Sequence, residues 1–273
     1  MPREAVSADI TGELILLGTG TSVGVPSIGC GCAVCTSDNP KNRRTRCSAI
    51  AGLPGGNLLI DTSPDLRQQL LREGIGLVHA VLYTHEHADH LFGLDDLRLM
   101  PFYTGGPVPL YCEEWTEDRI RKSFDYAFKR RPNLHRGAVP DLRFERIGPT
   151  PGGWPEIDVL GARVTAVRQS HGPNFDTLGF RIGNVAYCTD VNEMPDESKE
   201  MLHGLDVLIL DALREQGHAT HFNLAEAVSL AEELEPKRVY FTHMSHDLEH
   251  DATCAALPEG YDLAYDGLRV PLT

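Results

Sequence analysis

Four potential metal ligands stand within six positions in the run Thr84-His85-Glu86-His87-Ala88-Asp89-His90. The run follows a short β-rich stretch, residues 79–83, and precedes Leu91, Leu94 and Leu97 at helical spacing. It therefore falls where a strand ends and a helix begins, and there its side chains can converge rather than alternate between faces. Imidazole and carboxylate groups suit a divalent transition ion such as zinc, and manganese or iron also fit. A lone histidine in this place would be a polar helix start capped by Asp89. Four such groups in one loop outweigh that interpretation.

One loop cannot complete two metal sites, so further ligands are expected at other strand ends. His171 follows a strand at 163–168, Asp190 follows Val185–Cys188, and His243 follows a strand at 239–241. Each alone would be an ordinary loop residue, and only the set carries weight.

The remaining chain is strand-rich with interspersed helices. Strands are predicted at 13–17, 47–52, 57–60, Val108–Cys112, 178–182 and 207–210, with a turn at Leu53-Pro54-Gly55-Gly56. Ser63-Pro64 has the form of a helix start, with serine as N-cap and proline at the first helical position. Leu66, Leu70 and Leu71 would be its buried stripe and Gly74 its end. Further helices are predicted at 114–128 and Leu224–Leu234. No internal repeat or low-complexity linker divides the chain, so residues 1–273 are taken as one domain of two sheets flanked by helices.

Charge and cysteine usage narrow the function classes. The net charge of −14 argues against a grip on long nucleic acid, which usually takes a basic face. The one concentrated basic stretch lies between Arg119 and Arg146 and includes Lys129-Arg130-Arg131; a solvated face is favoured over an anion-attracting rim. No apolar run approaches the roughly 20 residues that cross a bilayer. Met1 to Glu13 has no signal-peptide pattern, so a cytoplasmic protein is expected. Seven cysteines without an export signal make a disulfide framework improbable. Three of them crowd together as Cys30-Gly31-Cys32-Ala33-Val34-Cys35, where unpaired loop thiols are the bland alternative to a site. Cys47, Cys112, Cys188 and Cys254 are expected to be buried as small hydrophobes.

The histidine run, His171, Asp190 and His243, in that order, resemble the metallo-β-lactamase fold superfamily, and the resemblance spans residues 14–270. It implies an α/β fold: an αββα sandwich of two mixed sheets with the site at one edge. It also implies that His85, His87 and His171 hold one ion and Asp89, His90 and His243 the other, with Asp190 bridging them. Asp61 would stand behind a ligand histidine and orient it. The stretch Gly18-Thr19-Gly20-Thr21-Ser22, Gly24-Val25-Pro26 and the Cys30–Cys35 cluster, with Pro40-Lys41-Asn42-Arg43-Arg44 and Thr242-His243-Met244-Ser245-His246, looks like the PhnP-type phosphodiesterases. By that similarity Cys30, Cys32, Cys35 and His246 form a separate structural zinc site. Three thiolates and an imidazole are a closed tetrahedral set with no position left for water.

His221 matches the histidine that phosphodiesterases of this fold use as general acid, with helix capping as the bland alternative and His218 close by. The expectation is then a two-metal hydrolase for a cyclic phosphate or other small phosphodiester, with His221 and Asp89 acting in catalysis. Its active-site ions would be zinc or manganese, with iron as a further option, roughly 3.5–4 Å apart. Two alternatives are a thioester, lactone or β-lactam hydrolase of the same fold, and a non-hydrolytic metal-binding accessory protein resembling pyrroloquinoline quinone biosynthesis protein B. The expected partner is a small-molecule phosphodiester, not a polynucleotide or a membrane, and a homodimer is left open. Asp95-Asp96 and the longer segment 113–146 depart from the phosphoribosyl cyclic phosphate enzyme and are expected to shape the pocket rim.

Overall fold

In the first strand, β1 (Glu13–Gly18), Leu14 and Leu16 face one core while Ile15 and Leu17 face another. A strand buried on both sides has no polar face to alternate, which is why its sequence reads as a continuous apolar run. The computed structural model describes residues 4–129, 135, 137–149, 153 and 156–273. Arg130, Arg131 and Arg136 of the basic stretch lie outside those residues.

In chain order there follow β2 (Ser48–Leu53), β3 (Gly56–Ile60), β4 (Ala80–Leu82), β5 (Val108–Cys112), β6 (Leu142–Arg146), β7 (Glu156–Val159) and β8 (Ala162–Ser170). Then come β9 (Asp176–Ile182), β10 (Val185–Cys188), β11 (Val207–Asp211), β12 (Arg238–Thr242), β13 (Tyr261–Leu263) and β14 (Arg269–Pro271). They form two seven-stranded sheets, ordered β14-β1-β2-β3-β4-β5-β6 and β13-β12-β11-β10-β9-β8-β7. Each is mixed: β3 to β6 are mutually parallel in the first and β10 to β13 in the second, with antiparallel pairs elsewhere. The larger core joins Leu14, Leu58 and Leu82 of one sheet to Phe180, Tyr187 and Ile209 of the other. The smaller core lies between the outer face of the first sheet and its helices, through Leu66, Leu70, Leu91, Leu94 and Leu97. Helix Leu224–Leu234 buries Ala227, Leu230, Ala231 and Leu234, and a reciprocal capping box between Asn223 and Glu226 starts it. This is the expected two-sheet sandwich with helices outside.

Some local expectations need correction. The helix after Ser63-Pro64 runs Leu66–Glu73, with Asp65 as N-cap. The Ser63 hydroxyl instead accepts from the Asp65 N–H at 3.0 Å in a local turn. Asp65 spends its carboxylate on Arg46, whose Nε and Nη2 lie 2.8 and 2.7 Å away. Leu71 is 64% exposed, and Gln69 takes the buried place, donating to the Thr45 hydroxyl and the Arg46 carbonyl. The helix does end at Gly74, in the left-handed conformation. The helix at 114–128 is two, Glu114–Ser123 and Asp125–Phe128, interrupted at Phe124. Cys47, Cys112 and Cys188 are buried, but Cys254 is only half-buried.

The basic stretch is largely neutralised where it is described. Arg121 pairs with Glu117, Arg146 with Glu114 and Glu117, Arg143 with Glu145, and Lys129 with Asp125. That is the pattern of a solvated face. Among the described residues, no helix is long and apolar enough to cross a membrane.

Candidate metal centre

The carboxyl ends of the parallel strands meet at one edge, as ligand sites in open α/β sheets commonly do. Asp61 follows β3, the histidine run follows β4, Asp190 follows β10, Asp211 closes β11 and His243 follows β12. His171 follows β8, which runs in the direction of β10 because both are antiparallel to β9. Asp61, Asp190 and His243 have φ values of 62°, 56° and 59°, a conformation costly for residues with a Cβ. Such turns re-aim side chains at strand ends, and the surrounding hydrogen bonds hold them there.

Asp61 is the hub behind the histidines. It is fully buried and accepts from Thr84 N at 2.8 Å, Thr84 Oγ1 at 2.7 Å and His90 Nδ1 at 2.7 Å. The Thr84 hydroxyl in turn accepts from His85 Nδ1 at 2.9 Å. His171 Nδ1 donates to the Thr220 carbonyl at 2.7 Å. Three imidazoles are thereby fixed through Nδ1, which leaves Nε2 to face the site, the arrangement typical of metal-bound histidine.

Besides a set that His221 forms with His171 and Asp190, the facing atoms offer two groups of possible ligands. His85, His87 and His171 offer one, with His85 Nε2 and His87 Nδ1 only 2.8 Å apart; Asp89, His90 and His243 offer the other. Asp190 reaches both: Oδ1 lies 3.9 Å from His85 Nε2, 3.9 Å from His171 Nε2 and 3.4 Å from His243 Nε2, and Oδ2 lies 3.3 Å from His90 Nε2. Among the described residues, the Nε2 atoms of His90 and His243 are buried without a hydrogen-bond partner. Buried polar atoms in folded proteins are rarely left so, and lone pairs converging on one another invite a cation. Burial holds His85 well below the usual histidine range, keeping a lone pair free. Burial also opposes charge on His90, but the carboxylates of Asp190, Asp89 and Asp61 outweigh it and raise that imidazole well above its range. The pocket demands positive charge. These residues fit a pair of divalent ions.

A second group lies apart from the first. His246 Nδ1 is 3.2 Å from Cys30 Sγ, 3.3 Å from Cys35 Sγ and 3.7 Å from Cys32 Sγ. Tetrahedral zinc with ordinary bond lengths would set sulfur and nitrogen about 3.5 Å apart, so the four donors fit that ion. The N–H groups of Ser27 and Cys35 point at Cys35 Sγ and Cys32 Sγ, both at 3.4 Å, contacts that favour thiolates. Only Met244 and Ser245 separate His246 from His243, so the two groups are mechanically joined.

His221 is buried beside the first group, its ring stacked on His243 at 4.6 Å and edge-on to His171 at 4.7 Å. Its Nδ1 donates to Asp211 Oδ2 at 2.7 Å. Burial pulls its pKa down, but the Asp211 carboxylate wins and raises it to about 9. Helix capping is performed by Asn223, so His221 is not needed for it. His218 is exposed and, among the described residues, hydrogen-bonds only to Thr220, with its ring 5.3 Å from that of His221.

Asp211 was not among the residues singled out from sequence. It is fully buried, also accepts from Val191 N at 2.9 Å, and sets its unpartnered Oδ1 3.8 Å from His243 Nδ1. Its signal was the one that found Asp190, an acidic residue closing an apolar strand.

Two mixed sheets with histidine and aspartate donors gathered at their strand ends define the class. A beta-lactamase superfamily domain matches residues 56–244, and the chain belongs to that superfamily, with the metallo-β-lactamase fold. Within it the chain is PhnP-like: a solved diphosphatase of the PhnP family is 45% identical, with a TM-score of 0.86 over 94% of this chain and 96% of its own. The chain is also 35% identical, over 93% of its length, to the octanoyltransferase of Porphyromonas gingivalis, but spans only 50% of that protein. The coenzyme PQQ synthesis protein B of Methylorubrum extorquens is 37% identical, with 95% of this chain and 100% of that one covered. Fold, family and donor set together describe a metal-binding hydrolase.

Proposed function

We propose that the chain is a two-metal phosphodiesterase acting on a cyclic phosphate or another small phosphodiester. The observation that carries this is His221, a buried imidazole fixed by Asp211 and stacked against His243 at the edge of the donor groups. Hydrolysis of an alkyl phosphodiester expels a poor leaving group, which needs a proton, and a positioned imidazolium supplies one. The 45% identical relative is named a diphosphatase, which supports phosphate chemistry at this site, a coarser class than the phosphodiester proposed.

In this proposal His85, His87 and His171 would hold one divalent ion and Asp89, His90 and His243 the second, with Asp190 within reach of both groups. Such ions, when bound, would supply an activated water near neutral pH and draw charge from phosphate oxygens. The protein does the rest. Asp61 and Thr84 hold His85 and His90 in orientation, and the Thr220 carbonyl does so for His171. Asp89 directs its carboxylate inward, 3.2 Å from His90 Nε2. Asp211 keeps His221 protonated on Nδ1 and its Nε2 free to pass a proton to the departing oxygen. Cys30, Cys32, Cys35 and His246 would hold a structural zinc, which would tie the N-terminal loop to the turn carrying His243.

Assaying metal-loaded protein on a bis-aryl phosphodiester, 2′,3′-cyclic nucleotides and a thioester separates the readings. Hydrolysis of the phosphodiesters supports the proposal. Activity on the thioester alone, or on none of the three, overturns it.

A further inference from the structure

The turn that delivers His171 also delivers an aromatic ring that the chemistry described so far does not use. His171 N donates to the Phe175 carbonyl at 2.8 Å, closing a tight connection between β8 and β9. Gly172 sits at φ 77°, and a Cβ there would lie 2.5 Å from Thr220 Cγ2, so the connection is pressed against the segment that anchors His171. Its N–H also donates to the Asn192 side chain. The backbone of Phe175 is thereby tied to that of His171.

Its ring meets His87 edge-to-face with centroids 4.9 Å apart and lies 6.4 Å from His171. It nonetheless remains 41% exposed. The large hydrophobic side chains exposed to that degree or more include Val6, Ile28, Leu71, Phe92 and Trp115, scattered over the surface. Among the described residues of that kind, Phe175 alone has a ring contact with the candidate ligands. A scattered exposed apolar residue needs no explanation. A half-exposed aromatic ring leaning on the His87 imidazole is different, because it can take a flat group on its free surface.

We propose that Phe175 is a specificity-determining residue: a stacking platform that selects phosphodiesters bearing a planar aromatic group next to the scissile phosphate. This rests on the phosphodiesterase reading above and names the substrate class that the same site prefers. Stacking of a base on an aromatic side chain is sequence-tolerant, so the platform would favour nucleoside-bearing over base-free substrates without strict choice of base.

The test compares a 2′,3′-cyclic nucleotide, a ribose 2,3-cyclic phosphate lacking a base and methyl 4-nitrophenyl phosphate. The readout is the ratio of kcat/KM between ring-bearing and base-free substrates. Phe175→Ala should lower that ratio by about 5- to 100-fold, mainly through KM, which is the range of base–aromatic stacking. Phe175→Leu, which keeps bulk but not the ring, should fall close to the alanine variant, and Phe175→Trp should restore the ratio. A loss confined to the nucleotide assigns the platform to a base, and a loss shared by the aryl ester assigns it to any ring. An unchanged ratio, or full retention by leucine, overturns the proposal. If wild-type protein with its metals bound cleaves none of the three, the phosphodiesterase reading has failed, and this proposal fails with it.

Discussion

Glu113 directly follows β5 at the same sheet edge as the candidate metal centre, and it is a buried carboxyl to which, among the described residues, no cation is hydrogen-bonded. Burial raises its pKa to about 7; the Trp115 indole N–H at 3.1 Å and the nearby Arg168 oppose that shift without cancelling it. Its ordinary value is 4.5. Below pH 4.5 both the folded and unfolded chains hold the proton. Between about 4.5 and about 7 only the folded chain holds it, so stability is lost as pH rises through that window. Above pH 7 the native state carries a buried charge at full cost. At 1.36 kcal/mol per pKa unit this amounts to about 3 kcal/mol, and allowing for partial solvent screening about 1–3 kcal/mol. Glu113→Gln removes the ionisation. At pH 8 the variant should therefore be more stable by about 1–3 kcal/mol, a rise of about 2–10 °C in Tm for a chain of this size. The advantage should shrink toward zero by pH 4.5. Urea unfolding of both proteins from pH 5 to 8.5 in the same metal-containing buffer gives the difference directly, with metal-linked effects common to both. A difference that stays constant with pH would show that Glu113 does not titrate as its burial dictates.

Other perturbations address the metal-bearing groups and their supports. Cys35→Ser should abolish the thiolate site, lowering bound zinc by one ion per chain and Tm by several degrees, as element analysis and calorimetry would show. Undiminished zinc would refute the four-donor assignment. Asp61→Asn weakens the acceptor shared by Thr84 and His90, so metal affinity should fall about 10- to 100-fold by competition with a chelator. Arg44 is 1% exposed and donates to the Ser245 and Leu248 carbonyls at 2.7 and 2.6 Å, bracketing His246. Arg44→Met strands both acceptors and should cost about 2–5 kcal/mol in chemical denaturation. A loss below 0.5 kcal/mol would refute that role.

Much of the site was legible because its residues share one local signature, a polar ligand type directly after a β-rich run. His85, His171, Asp190 and His243 all carry it, and the fold brings their strand ends together. Asp211 carries it too, but as the last residue of β11 it reads as the end of an ordinary buried strand. The strands that escaped notice are short or at sheet edges. β13 is three residues long and owes its existence to pairing with β12, and β6 interleaves Leu142 and Phe144 with charges that read as a basic stretch. The helix start at Ser63-Pro64 misled for a tertiary reason: the local turn there precedes a helix whose N-cap, Asp65, is committed to Arg46. Gln69 replaced Leu71 in the buried stripe for a similar reason, since its amide bonds to Thr45 and Arg46 across 20 or more positions. Periodicity cannot register such partners.

The role of His221 gives the sharpest test. A residue that protonates the departing oxygen matters when that oxygen is a basic alkoxide and hardly at all when it is a nitrophenolate. His221→Ala, with its metal content measured alongside, should lose about 10²- to 10⁴-fold in kcat on a 2′,3′-cyclic nucleotide. It should lose far less on a bis-nitrophenyl phosphodiester, and the number of bound metal ions should not change. Equal losses on both substrates, or loss of a metal ion with the histidine, would contradict the account.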